Sequence, residues 1–275
     1  MSLQGDMARF FGVPGQDLML AIGMGRIPGY YGQFVIGVTE GLDIADGLCT
    51  IWDYTGQNIS FLSAETELFV SSASASDTTN QVLVSGLDSN YEIKTTTTTI
   101  GGQSQVSVGT FLRVQNCIVL GTSNVGDIYI AESDTLVGGV PQTPSKVQSK
   151  ILAGKVITHN GWFTVPAGKT AVNMSIRGTV DATSKAATVR SYISSALLPT
   201  AETVSYSVTA AFSEYRFPTP VATANLTGLL SVSVPSGTDI EFKAEVNTNA
   251  TDVFFGTDFI VAPEEDFLTA NLLVT

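Results

Sequence analysis

From about residue 50 onward, apolar and polar positions tend to alternate with a period of two, the signature of strands with one buried face. The segments ETELFVSS, QVLVSGL, YEIKTTTTT, FLRVQNCIVL and DIYIAES follow one another, separated by Gly-rich breaks at Gly101-Gly102, Gly109 and Gly121. Beyond residue 151 the alternation is cleaner. In TAVNMSIRGTV it puts Val172, Met174, Ile176 and Val180 on one face, and in TVSYSVTAAF it turns Val204, Tyr206, Val208, Ala210 and Phe212 inward. In DIEFKAEVN it sets Ile240, Phe242, Ala244 and Val246 inward against Asp239, Glu241, Lys243 and Glu245. Short strands at this spacing predict an all-β protein of sandwich or jelly-roll type.

The run of five threonines, Thr95–Thr99, belongs to the same pattern. Tyr91, Ile93, Thr95, Thr97 and Thr99 share one face and Lys94, Thr96 and Thr98 the other. Threonine is β-branched and suits a pleated surface. LDSN before the run and IGGQ after it are turn signals. The segment is predicted to be a strand with one wet face, not a low-complexity linker. A second recurrence joins FTVPAGKTAVNMSI to VSVPSGTDIEFKAE: each reads strand, Val-Pro-small-Gly turn, strand, at Pro166–Gly168 and Pro235–Gly237.

Two stretches break the pattern. Residues 1–48 are Gly-rich and aromatic with no steady period, and are predicted to form an extended arm with a turn or two of helix in GQDLMLAI. Apolar residues without periodicity need a partner surface, so Phe10, Phe11, Leu18, Met19, Leu20, Tyr30, Tyr31 and Phe34 are the candidate docking residues. Residues 136–150 carry Gly138-Gly139, Pro141 and Pro144 and are predicted to be a linker. The expected organisation is therefore an arm (1–48), a first β-domain (49–135), a linker (136–150) and a second β-domain (151–275).

Composition narrows the function classes. The 275 residues are 44% hydrophobic and only 14% charged, which excludes a disordered acidic chain. The net charge of −12 repels phosphate and argues against nucleic acid or an anionic membrane as partner. The start MSLQGDMARFF has no basic segment followed by an apolar run, and IPGYYGQFVIGV is short and broken by Pro28, Gly29 and Gly32, so neither a leader nor a membrane span is expected. Cys49 and Cys117 are in no CxxC motif and read as buried thiols, with a disulfide left open.

The search for chemistry returns little. His159, the one histidine, precedes a glycine turn and has no GxSxG serine to serve, so a loop histidine is the better reading. GMGRIPG has the wrong glycine spacing for a dinucleotide site. Glu264, Glu265 and Asp266 lack calcium-loop spacing and read as a solvated tail, while Asp252 and Asp258 read as caps of strand ends. Asn-x-Ser/Thr triplets at Asn58, Asn173, Asn225 and Asn249 are expected by chance in so Ser/Thr-rich a chain. Trp52, Trp162, Phe254, Phe255 and Phe259 suit core packing better than sugar stacking. No cofactor, metal or catalytic residue is assigned, and a non-enzymatic structural or binding role is expected.

With these residues in view, the chain resembles small structural proteins of tailed bacteriophages. The matching residues are Ile51-Trp52-Asp53, Ser74 to Thr78, Gly86-Leu87-Asp88 with Asn90-Tyr91, Leu112-Arg113-Val114 and Phe163 to Ala171. The resemblance spans about residues 50–262 and does not extend to residues 1–48. It implies a virion component, foremost an accessory head protein that decorates or cements the capsid. The alternatives are a tail, neck or fibre-base protein, or a carbohydrate-binding host-recognition module. The implied partners are the major capsid protein or other virion proteins, with a homo-oligomer, a trimer, as the expected form.

Overall fold

A computed structural model describes residues 18–181, 185–195, 201–209 and 233–265. After a short helix, Leu18–Gly23, the strands run β1 (Tyr31–Leu42), β2 (Cys49–Thr50), β3 (Thr66–Ser72), β4 (Gln81–Leu87), β5 (Ile93–Thr99), β6 (Val106–Phe111), β7 (Arg113–Leu120), β8 (Ile128–Glu132) and β9 (Leu136–Val137). They continue as β10 (Val140–Pro141), β11 (Val147–Ile151), β12 (Trp162–Thr164), β13 (Lys169–Val180), β14 (Ala186–Ser195), β15 (Ala201–Thr209), β16 (Ser233–Val234), β17 (Thr238–Val246) and β18 (Thr251–Pro263). The protein is all-β.

All pairings are antiparallel. One sheet is ordered β11-β8-β3-β6 and a second β5-β4-β7. Between them lies a core containing Leu68, Val70, Val82, Val84, Phe111, Cys117, Ile128 and Ile130. A third sheet is ordered β1-β18-β13-β16, and a fourth β12-β17-β14-β15 with β2 alongside β17. These enclose a second core containing Val35, Ile51, Phe163, Val189, Phe242, Phe255 and Phe259. A third apolar cluster, built on Trp52, Tyr129, Val147 and Trp162, covers the outer face of β8. Both faces of that strand are thus buried, and its apolar run IYIA does not alternate.

The threonine run is a strand, as its turns and β-branching predict, with Ile93, Thr95, Thr97 and Thr99 facing water. Tyr91 is not part of it. Its φ is 61°, a left-handed conformation costly for a side chain of this size. Asp88 holds it there: the carboxylate accepts the N–H groups of Asn90 (2.8 Å) and Glu92 (3.0 Å), while Tyr91 N–H donates to the Asp88 carbonyl (3.0 Å).

The two Val-Pro-small-Gly turns lie side by side and are reciprocal. One leads from β12 in the fourth sheet to β13 in the third; the other leads from β16 in the third to β17 in the fourth. β12 pairs with β17 and β13 with β16, so each turn crosses between sheets instead of closing a hairpin.

Several expectations need correction. Residues 31–42, read as part of a docking arm, are β1, paired along β18 from Tyr31↔Val261 to Leu42↔Thr251. The glycines at 32, 37 and 41 hid its period from view. The supposed linker at 136–150 is ordered: β9 and β10 form a ribbon, and β11, which begins at Val147, pairs with β8. The Gly-Gly and Pro signals mark the ribbon's turns, not a boundary. In β13 the expected inward set of Val172, Met174, Ile176 and Val180 holds only after a bulge at Met174, which shifts the phase: Val180 is inward as expected, Val172 is only half-buried, and the side chain of Ile176 lies outside the described residues. Before it Ala171 is buried; after it Val180 is; Met174 itself is 40% exposed. Asp252 and Asp258 do not cap strand ends but lie within β18, where Asp252 accepts the N–H of Gly41 (2.7 Å) and Asp258 binds Arg177. For β15 only the backbone is described, and Ala210 and Phe212 lie outside the described residues.

Candidate functional site

The polar centre of the molecule is a seam where the first residues of β7 meet β12 and β17. Arg113 Nε and Nη2 each reach an oxygen of Asp239 at 2.8 Å, a bidentate pair with both side chains buried. Nη1 donates to the carbonyls of Leu62 (2.7 Å) and Leu112 (2.8 Å), and the guanidinium lies 4.9 Å from the centre of the Phe61 ring. Thr164 Oγ1 donates to Asp239 Oδ1 at 2.6 Å. Trp162 Nε1 donates to the Val114 carbonyl (2.9 Å), and Ala167 N–H donates to the Tyr91 carbonyl (2.8 Å). The ring of Tyr91 lies on Gly237, where an added Cβ would meet it at 3.4 Å.

Above the seam opens a cleft of ≈ 550 Å³ whose walls include Leu62, Glu65, Ser89, Tyr91, Arg113 and Asp239. Its charges are fixed. Glu65 accepts from Thr110 Oγ1 (2.5 Å), from Ser89 N–H (3.2 Å) and from Lys94 Nζ (3.2 Å), and these bonds pull its carboxyl down to about 2. The folded form therefore holds Glu65 ionised more strongly than the unfolded chain does. That contribution is present above the ordinary carboxyl value of 4.5 and is lost as pH falls from there through about 2. Acid titration of unfolding should show this: the Glu65→Gln variant is expected to lose less stability than wild type over that window, and parallel curves would refute the assignment.

The residues singled out in the sequence are scattered. Phe10 and Phe11 lie outside the described residues. Leu18, Met19 and Leu20 sit on the short helix, with only their backbone described. Tyr30 and Tyr31 are half-buried, and Tyr31 packs on the second core, where burial raises its hydroxyl pKa. Phe34, on β1, is 44% exposed with the Arg177 guanidinium 5.6 Å from its ring centre. It borders a recess of ≈ 270 Å³ shared with Gln33, Ile36, Asn116 and Ile157.

His159 is more than a loop residue. Its N–H donates to Asp53 Oδ2 (2.9 Å) and its Nδ1 meets Asp53 Oδ1 (3.0 Å), the carboxylate being fully enclosed. That partner, 106 positions away, has no signature in the sequence around His159. Cys49 and Cys117 are free and buried, and burial pushes their thiols up to about 11 and about 12. Trp52 and Trp162 meet edge-on at 5.3 Å inside the third cluster, so neither is offered to a sugar. Glu264 accepts from Ser236 Oγ (3.4 Å), and Asp266 lies outside the described residues. Among the described residues no three His, Cys, Asp or Glu side chains converge on a metal-sized point, and no helix is long and apolar enough to cross a membrane. No protein-family model matches the chain, and no curated protein matches it significantly.

Proposed function

We propose that the chain is a non-catalytic structural component of a tailed-phage virion, an accessory head protein that decorates or cements the capsid surface. The observation that carries this reading is β1. It is a 12-residue strand paired with β18 on one side only, and no described strand pairs with its other edge. Exposed Phe34 and the recess beside it lie along that strand. A long strand edge with no described strand paired to it invites a partner strand or a second copy of the chain, and Phe34, whose ring lies over Gly256 of β18, adds exposed apolar surface on the adjoining sheet face. The preceding residues, 1–30, would continue the contact onto a capsid subunit, and a trimer would bring three such edges together.

The resemblance supports the same reading. Its motif residues fall on joints: Trp52 and Asp53 on the third cluster and His159, Asp88 and Tyr91 on the turn against Gly237, Arg113 on Asp239. Asp77, within the Ser74–Thr78 turn, binds Ser72 Oγ (2.6 Å) and the N–H groups of Val125 and Gly126 (2.9 Å each). We read the two cores as two β-sandwiches, each between a pair of sheets, fixed together by these joints as a rigid building block.

Mass-spectrometric quantification of purified particles tests the reading. A copy number comparable to that of the major capsid protein is expected. A few to a few dozen copies would assign the protein to the tail, neck or fibre base, and absence from particles would overturn the virion role. Deleting residues 1–29, which leaves β1 whole, is expected to yield a folded protein that no longer joins particles.

A further inference from the structure

Lys243, Asn58 and Glu241 form a polar group apart from both the Arg113 seam and the edge of β1. Lys243, on β17, stands opposite Thr50 of β2, and the loop after β2 brings Asn58 back over it. Lys243 Nζ lies 3.0 Å from Asn58 Oδ1 and 3.5 Å from Glu241 Oε1. Asn58 Nδ2 points away, toward the Leu48 carbonyl at 3.5 Å. Thr50 ties the group together: its buried hydroxyl donates to Glu241 Oε1 (2.5 Å) and accepts the N–H of Ile59 (2.9 Å), the residue after Asn58. Trp52 Nε1 anchors the other side of Asn58 by donating to the Gln57 carbonyl (2.8 Å). An amine, a carboxamide and a buried carboxyl are thus held within contact distance by fixed backbone.

The geometry points to an intramolecular isopeptide bond between Lys243 Nζ and Asn58 Cγ, formed by the folded chain with Glu241 as proton carrier. Nucleophilic lysine needs its lone pair, and the neighbouring carboxyl supplies the base. Burial raises the Glu241 pKa, although Lys243 and the Thr50 hydroxyl pull it down, so Glu241 is a competent proton acceptor. One ammonium proton passes to the Glu241 carboxylate, and the freed Nζ lone pair bonds to Cγ. Nζ then sheds a second proton to Nδ2, the Cγ–Nδ2 bond breaks, and ammonia leaves. It collects the proton from Glu241 and departs as ammonium. No oxidant, reductant or cofactor enters. Asn58 is exposed, so the released ammonium goes directly to water. Pre-positioning of amine and amide replaces an encounter that is too slow between free molecules.

Intact-mass spectrometry of the purified full-length chain tests this. The expected mass is about 17 Da below that of the sequence, the mass of the ammonia lost. Tandem spectra should contain a branched peptide joining residues 58 and 243. Lys243→Arg keeps the charge but lacks the nucleophile, and is expected at full sequence mass with an unchanged circular-dichroism spectrum; Glu241→Gln is expected to be largely uncrosslinked. A wild-type chain at full mass overturns the proposal. So does a deficit that maps to a succinimide inside a single peptide, or one that persists in Lys243→Arg.

Discussion

Replacing Arg113 by alanine is expected to lower the free energy of unfolding by ~3–5 kcal/mol, the effect of stranding one partner of a buried ion pair. The substitution removes both hydrogen bonds to Asp239, leaving that carboxylate enclosed with the Thr164 hydroxyl as its one side-chain donor among the described residues. It also orphans the carbonyls of Leu62 and Leu112 as acceptors from Nη1. Asp239→Ala should cost a similar amount for the mirror reason, an enclosed guanidinium without its counter-charge. The double variant should cost distinctly less than the sum of the two, because neither charge then remains to be stranded. Urea denaturation of the four proteins completes the cycle. A loss below about 1 kcal/mol for Arg113→Ala would mean that the pair behaves as a solvated surface bridge.

The same pair shows what a sequence conceals. Alternation in DIEFKAEVN correctly turned Ile240, Phe242 and Ala244 inward, and all three are buried. It also turned Asp239 and Glu241 outward, where water was the natural expectation, yet both are buried. Period two reports which face a side chain occupies; it is silent on what covers the other face. Here Arg113 arrives from 126 positions away, and Thr50 from 191. Long-range pairing of charged groups leaves no local trace, so the seam and the Lys243 group were both invisible until the sheets were placed.

Local chemistry, by contrast, was legible. The threonine strand, the LDSN turn and the two Val-Pro-small-Gly turns follow from β-branching, Asx capping and the special backbone of Pro and Gly, each within a few residues. Failures came where one residue altered the count. Met174, a single inserted position, puts the start of β13 out of phase with its end, so the expected alternation fits Val180 but not Val172 or Met174. The glycines of β1 erased its apolar marks, although Val35 and Leu42 sit in the second core. An edge strand rich in glycine reads as a free arm, and only its partner β18 distinguishes the two.

Trp52→Ala is the second large effect expected, a loss of ~3–5 kcal/mol on the scale of aromatic truncation in a core. The ring is wholly buried and meets Trp162 at 5.3 Å and Tyr54 at 5.6 Å, so its removal opens a cavity at the centre of the third cluster. Trp52→Phe keeps most of the apolar contact but leaves the Gln57 carbonyl without its Nε1 donor, at a cost nearer ~1–3 kcal/mol. Equilibrium denaturation should rank the two variants in that order, and equal losses would show that the hydrogen bond to Gln57, lost in both, decides rather than the ring's packing. Because Gln57 precedes Asn58, both variants also loosen the loop that holds the amide over Lys243. The fraction of chain crosslinked should therefore fall in Trp52→Phe even where the protein remains folded, separating the hydrogen bond's role in positioning from the ring's role in stability.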